Sequence, residues 1–170
     1  MSAASGMELR IEPAAESDVP LILKFIRDLA EYEKLSHQVV ATEDHIRKHV
    51  FGANPTAEVL LAYWQGQAVG FALYFRNFST FLGQAGIYLE DLFVEPTHRG
   101  KGIGKALLRR LAEIAVERGY GRLEWSVLDW NAPSIEFYRS LGAVSLDDWI
   151  RYRLTGQELM RLAFGDRRGT

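Results

Sequence analysis

Cysteine is absent from this 170-residue chain, which excludes disulfides, a thiol nucleophile and thiolate metal sites together. An acyl-enzyme on sulfur is excluded with them. Long apolar runs are also missing: no stretch approaches the ~20 residues that a membrane-spanning helix requires, so no membrane partner is expected. Nor is there an excess of charge of one sign, because 20 Lys and Arg stand against 22 Asp and Glu. A net charge of −2 offers no global attraction to nucleic acid. Met1 to Arg10 holds no basic segment followed by an apolar stretch, and a cytoplasmic location is the expectation. Repeats and low-complexity linkers are absent as well.

What is present is 48% hydrophobic and 25% charged residues, the balance of a globular domain. The chain reads as one domain over 8–164, with a flexible N-terminus at 1–7, in which Met7 is a candidate internal start, and a polar tail at 165–170. Leu9 to Ile11 predicts a short strand closed by Pro13. Ser17 is the expected cap of a helix in which Leu21, Phe25, Leu29 and Tyr32 recur at helical spacing, with Pro20 in its first turn. Thr42 opens a second helix that ends near Gly52. Val59–Tyr63, Gln65-Gly66 and Ala68–Phe75 predict a hairpin. Residues 77 to 86 read as a loop, and Ile87 to Val94 as an apolar strand. A helix from Gly102 to Gly119 buries Ile103, Leu107, Leu108, Leu111, Ile114 and Ala115. Leu123 to Leu128 reads as a strand, Ser134 to Leu141 as a helix, Ile150 to Leu154 as a late strand, and Gln157 to Phe164 as a last helical turn or two. Hairpins mixed with helical crossovers imply an α/β protein whose mixed, mostly antiparallel central sheet is flanked by helices.

The junction between the apolar strand and the third helix is spelled Arg99-Gly100-Lys101-Gly102-Ile103-Gly104-Lys105. Glycines let the backbone turn tightly, and the N–H groups at a helix start carry partial positive charge, so this is an anion cradle. A Walker loop needs four residues before its Gly-Lys pair and then Ser or Thr; here three intervene and Ala106 follows. A dinucleotide fingerprint needs its third glycine where Lys105 stands.

Tyr88-Leu89-Glu90-Asp91-Leu92-Phe93-Val94 sets two carboxylates in an apolar strand, where an unpaired charge is costly. Strict alternation puts Glu90 on one face with Tyr88 and Leu92, and Asp91 on the other with Leu89 and Phe93. Glu90 is the functional candidate; Asp91 stands open between function and a structural ion pair. Further on, Asn131 can accept from N–H groups at the head of a short helix, and Tyr138 follows two turns later. A lone tyrosine at helical spacing reads as core packing; following a phosphate cradle, it becomes a catalytic candidate. His45 and His49 stand four apart without a third ligand, and no metal is expected.

Arg99-Gly100-Lys101-Gly102-Ile103-Gly104 resembles the acyl-CoA loop of the GNAT superfamily of N-acetyltransferases, with Arg99, Gly102 and Gly104 at the motif's specified positions. Leu29-Ala30-Glu31-Tyr32-Glu33, Tyr88-Leu89-Glu90-Asp91 and Trp130-Asn131-Ala132-Pro133-Ser134-Ile135-Glu136-Phe137-Tyr138 together resemble its diamine and spermidine/spermine acetyltransferase branch. That resemblance implies acetyl-CoA as co-substrate and a small cationic amine as acceptor, either a polyamine or a thialysine-like basic amino acid. It implies Tyr138 as general acid and Glu90 as the group that contacts the amine and takes its proton through water. Leu92, Phe93 and Val94 would pair with pantetheine, Gly100, Lys101, Gly102, Ile103, Gly104 and Lys105 would cradle the pyrophosphate, and Asn131, Ser134 and Tyr138 would lie along the CoA. Tyr32, Glu33, Glu90, Glu124, Trp125 and Ser126 would line the amine site. A homodimer is implied too. Residues 144 to 152 are spelled differently from the branch's polyamine members, which leaves the acceptor open. Two alternatives also stay open: a non-catalytic acyl-CoA sensor, and an enzyme acting on protein lysines or N-termini.

Overall fold

The computed structural model describes residues 9–165; the expected flexible start, with Met7, and the tail beyond Gly165 lie outside them. Contacts divide the chain into two compact units, one ending at Ser126 and the next beginning at Val127. Each is described by itself. No helix among the described residues is long and apolar enough to cross a membrane.

The first unit is a five-stranded sheet in the order β1-β2-β3-β4-β5. Its strands are β1 (Leu9–Pro13), β2 (Glu58–Trp64), β3 (Gln67–Ser79), β4 (Gln84–Val94) and β5 (Leu123–Trp125). The first four are antiparallel in sequence order, and β5 joins β4 in parallel. The helices are α1 (Val19–Tyr32), α2 (Glu43–Ile46) and α3 (Ile103–Glu117). The expected mixed, mostly antiparallel sheet with flanking helices is the observed architecture.

Helix α1 covers one face of the sheet. Its Phe25 ring lies 5.7 Å from Phe71 of β3 and 5.9 Å from Phe93 of β4, inside a core that includes Val19, Ile22, Leu23, Leu29, Val59 and Leu61. Helix α3 covers the other face through Ile103, Leu107 and Leu111, all buried. At its far end Arg118 forms a bidentate bridge to Glu58 of β2, at 2.6 and 2.7 Å. Glu58 also accepts from the Tyr74 hydroxyl at 3.2 Å, and burial, then this carboxylate, pushes the Tyr74 phenol up to about 12.

The structure corrects the sequence reading at several places. Ser17 lies in a 3-10 turn, Glu16–Asp18, and α1 begins after Asp18, whose carboxylate accepts from the Ala15 N–H at 2.8 Å. Asp18 therefore closes the entry turn, and Pro20 sits in the first turn of the helix as expected. Thr42 caps α2, and the segment continues as a π-helical turn to Phe51, so it ends at Gly52 as expected. Residues 77 to 86 are largely strand, with the turn confined to 80–83. Polar residues made that stretch read as a loop; in the fold Asn77 donates to Glu124 at 2.7 Å, and Ser79 is buried and accepts from the Leu82 N–H at 3.2 Å.

A further correction concerns the second unit, which holds α4 (Ala132–Ser140) and α5 (Gly156–Phe164). Ile150 to Leu154 is irregular and exposed. An apolar run becomes a strand only with a neighbour for its N–H and C=O groups, and this unit has no other strand among its described residues.

Gly70 of β3 lies against β4, where a Cβ would stand 2.6 Å from the Phe93 carbonyl oxygen. Gly70→Ala is therefore expected to lower stability by about 1–3 kcal/mol. Urea unfolding measures this, and a variant as stable as the parent would show that the sheet yields there.

Candidate active site

Strand β4 carries one residue more than its partner. Leu89 pairs with Tyr74 and Asp91 with Leu73, so Glu90 is a β-bulge with no opposite number. Cross-strand partners share a face, and the bulge therefore resets the alternation. Leu89 goes with Tyr74, whereas Asp91 goes with Leu73 and Phe93 on the face that α1 covers. The expected grouping of Asp91 with Leu89 is thus corrected: a period of two assumes an unbroken ladder, and a bulge shifts every later residue by one face.

The same bulge limits β5. Parallel pairing runs through Ile87–Leu123, Tyr88–Glu124 and Leu89–Trp125 and stops where the bulge begins, so the strand expected over residues 123–128 is only Leu123–Trp125. Leu92, Phe93 and Val94 consequently have no sheet partner on the β5 side. That leaves an open edge of β4 leading straight into the glycine-rich turn.

In that turn Gly100 and Gly102 have φ of +76° and +80°, values that favour glycine. Gly102 occupies the cap position of α3 without offering a side-chain cap. The first N–H to reach back along the helix is that of Ala106, to the Gly102 carbonyl at 2.9 Å. The N–H groups of Ile103, Gly104 and Lys105 therefore have no partner within the helix. Lys105 makes no ion pair among the described residues. The other two cations are engaged elsewhere. Lys101 Nζ lies 5.5 Å from the Trp64 ring, and the Arg99 guanidinium lies 4.5 Å from the ring of Tyr32.

The carboxylates meet at the bulge. Burial, then the negative charges of Glu90 and Glu33, pushes the Asp91 carboxyl up to about 7. Burial also raises Glu33, which directly follows the last residue of α1. Tyr32, Glu33, Glu90 and Asp91 thus gather where α1 ends against β4. Asp91, left open by the sequence, belongs to this group; its signal was its place beside Glu90, obscured by the unrecognised bulge. Glu124 differs from these, because its Oε2 accepts from Asn77 and lies 2.8 Å from Arg122 Nε, though that N–H is not aligned for a hydrogen bond. Its charge is partly neutralised within the fold. Ser126 Oγ is 2.7 Å from the hydroxyl of Tyr88, whose ring stacks on Phe75 at 5.2 Å. Asn77, Tyr88 and Arg122 were missed as supports of these residues because their partners are distant in sequence.

Within the second unit, Asn131 is buried and its side chain accepts from the Ser134 N–H at 3.4 Å. It caps α4 as expected, although the helix begins at Ala132 and includes Pro133 in its first turn. Tyr138 lies in the second half of α4, its ring 5.4 Å from that of Phe137.

Residues 24–143 match the Acetyltransferase (GNAT) family. This chain is a GNAT acetyltransferase. Thialysine N-epsilon-acetyltransferase of Mus musculus is 40% identical over 165 residues, covering 91% of this chain and 96% of that protein. L-ornithine N5-acetyltransferase of Arabidopsis thaliana is 31% identical over 198 residues, covering 90% and 87%. Among solved structures, an integron cassette protein from V. cholerae has the same fold, with a TM-score of 0.78 at 29% identity, covering 94% of this chain and 99% of the other. The open edge of β4, the bulge and the glycine-rich turn are therefore parts of a GNAT fold.

Asp91 links the site to pH. Its ordinary value is 3.8 and its value in the folded chain about 7, so between these the folded chain holds a proton that the unfolded chain has lost. The stability contributed by that proton is complete below pH 4 and is lost as pH rises through 7. Asp91→Asn removes this dependence. It is expected to exceed the parent in stability at pH 8 by at least about 1 kcal/mol relative to their difference at pH 4. Urea unfolding across pH measures it, and a pH-independent difference would place the carboxyl in an ordinary environment.

Proposed function

We propose that this GNAT enzyme transfers the acetyl group of acetyl-CoA directly to the terminal amine of a small basic acceptor, a thialysine-like amino acid in the first place and a polyamine in the second. The observation that carries this reading is the gathering of Glu33, Glu90 and Asp91 at the bulge of the strand that enters the phosphate turn. Three carboxyl groups favour a cation, and the mouse and Arabidopsis relatives are named for basic amino acids.

The residues divide the work. Open backbone at Leu92 to Val94 suits an extended pantetheine arm, and the unpaired N–H groups of Ile103, Gly104 and Lys105, with the Lys105 ammonium, suit a pyrophosphate. An ammonium has no lone pair, so the acceptor must lose a proton before attack; Glu90, exposed at the bulge, takes it through water. The amine nitrogen then bonds to the thioester carbon and gives up its second proton to solvent, the carbon–sulfur bond breaks, and the departing thiolate takes a proton from the Tyr138 hydroxyl, which solvent restores. Asn131 and Ser134, at the head of the same helix, lie along the CoA. Tyr32, Trp125 and Ser126 complete the walls of the acceptor site, with Glu124 a weaker contributor because Arg122 and Asn77 already engage it. The enzyme works in the cytoplasm as a homodimer. The exposed apolar side chains of the second unit, among them Trp149, Ile150 and Tyr152, support an assembly that covers them.

An acceptor screen at saturating acetyl-CoA tests the reading, with thialysine, ornithine, lysine, spermidine, putrescine and short lysine peptides compared by CoA release. The basic amino acids are expected to give the highest kcat/KM; peptides in first place would move the enzyme to protein substrates, and acetyl-CoA binding without release would make it a sensor. Tyr138→Phe is expected to lower kcat at least about 100-fold while the KM for acetyl-CoA stays within about threefold. Unchanged kcat would remove Tyr138 as the proton donor.

A further inference from the structure

The first cation of the glycine-rich turn is engaged by aromatic rings and by the main chain of β4. Arg99 makes no ion pair among the described residues. Its guanidinium carbon lies over two rings, 4.5 Å from the centroid of Tyr32 and 5.8 Å from that of Phe93. Its Nε donates to the Val94 carbonyl at 3.0 Å. Planar stacking combined with a directed N–H bond is a use of arginine that lysine cannot copy. Each partner lies on a different part of the site. Tyr32 is the last residue of α1 and precedes Glu33; Phe93 is anchored in the core against Phe25; Val94 is the last residue of β4.

We propose that Arg99 is a positioning residue for the acceptor: by stacking on Tyr32 while bonded to β4, it fixes the Tyr32–Glu33 step of the amine site to the turn that receives the donor. This rests on the acceptor reading above. Phosphate contact then falls to the backbone N–H groups of the turn and to Lys105, and Arg99 serves the amine although it sits in the donor loop.

The test compares Arg99→Lys, Arg99→Met, Tyr32→Phe, Tyr32→Leu and the Arg99→Met/Tyr32→Leu double variant, using the acceptor that ranks first in the screen. Acetyl-CoA affinity is measured by calorimetry, acceptor kcat/KM by CoA release, and folding by thermal melting. Arg99→Met is expected to raise the acceptor KM about tenfold and to leave the acetyl-CoA Kd within about threefold. Arg99→Lys, which keeps the charge and loses the planar stack, is expected to follow Arg99→Met in acceptor KM. Tyr32→Phe keeps a ring under the guanidinium and should lose less than Tyr32→Leu. The double variant is expected to be no worse than the poorer single variant by more than about twofold, the mark of one shared interaction. Arg99 variants that weaken acetyl-CoA at least about tenfold with acceptor KM unchanged would overturn the proposal and make Arg99 a phosphate ligand. Multiplicative losses in the double variant would overturn it as well. A parent chain that binds acetyl-CoA and acetylates nothing would refute the acceptor reading itself and take this inference with it.

Discussion

One extra residue in β4 organises the first unit. A sheet ladder is periodic, and the bulge at Glu90 breaks the period once, in the middle of the strand that both helical layers use. Before the break, Leu89 faces the α3 layer. After it, Asp91 and Phe93 face α1, and pairing to β5 has already ended. A fully paired strand would have no main chain left for a ligand and no place for two adjacent carboxylates. The bulge supplies both, and its cost is met by the aromatic and aliphatic packing of Phe25, Phe71 and Phe93 on one side and of α3 on the other.

Charge is distributed along β4 in the same direction. Uncompensated negative groups collect at the bulge, where burial and mutual repulsion hold one of them protonated near neutrality. Positive groups collect at the end of the strand, where two of three are held on aromatic rings instead of carboxylates. Pairing the cations with Glu33 or Asp91 would have neutralised both ends. The rings allow opposite charges to stand close in the fold and still be available to different ligands.

Much of this could be read from the residues, and the failures have a common cause. The glycine-rich turn was legible because positive φ demands glycine at 100 and 102 and because a helix start without a capping side chain leaves N–H groups exposed. Asn131 was legible as a cap because capping is local. The Gln65-Gly66 hairpin was equally local, with both residues at positive φ. Whatever depended on partners far along the chain was not legible. The bulge is a mismatch between β3 and β4 that neither strand shows alone. The extension of β3 and β4 toward their turn relies on Glu124 and Arg122, and Gly86 permits a close approach there that a Cβ would obstruct, at 2.7 Å from both Asn77 and Arg122. Ile150 to Leu154 has strand composition and, in its own unit, no strand to join.

The glycine at the head of α3 has a consequence for the helix itself. A serine or aspartate there would add a capping side chain worth only a few tenths of a kcal/mol over glycine and would be strained at φ +80°, so Gly102 leaves the first turn uncapped. The first turn of a helix that covers one whole face of the sheet is therefore completed from outside, by whatever anion the turn receives. Through mass action the stability of this fold becomes a readout of how much donor surrounds it.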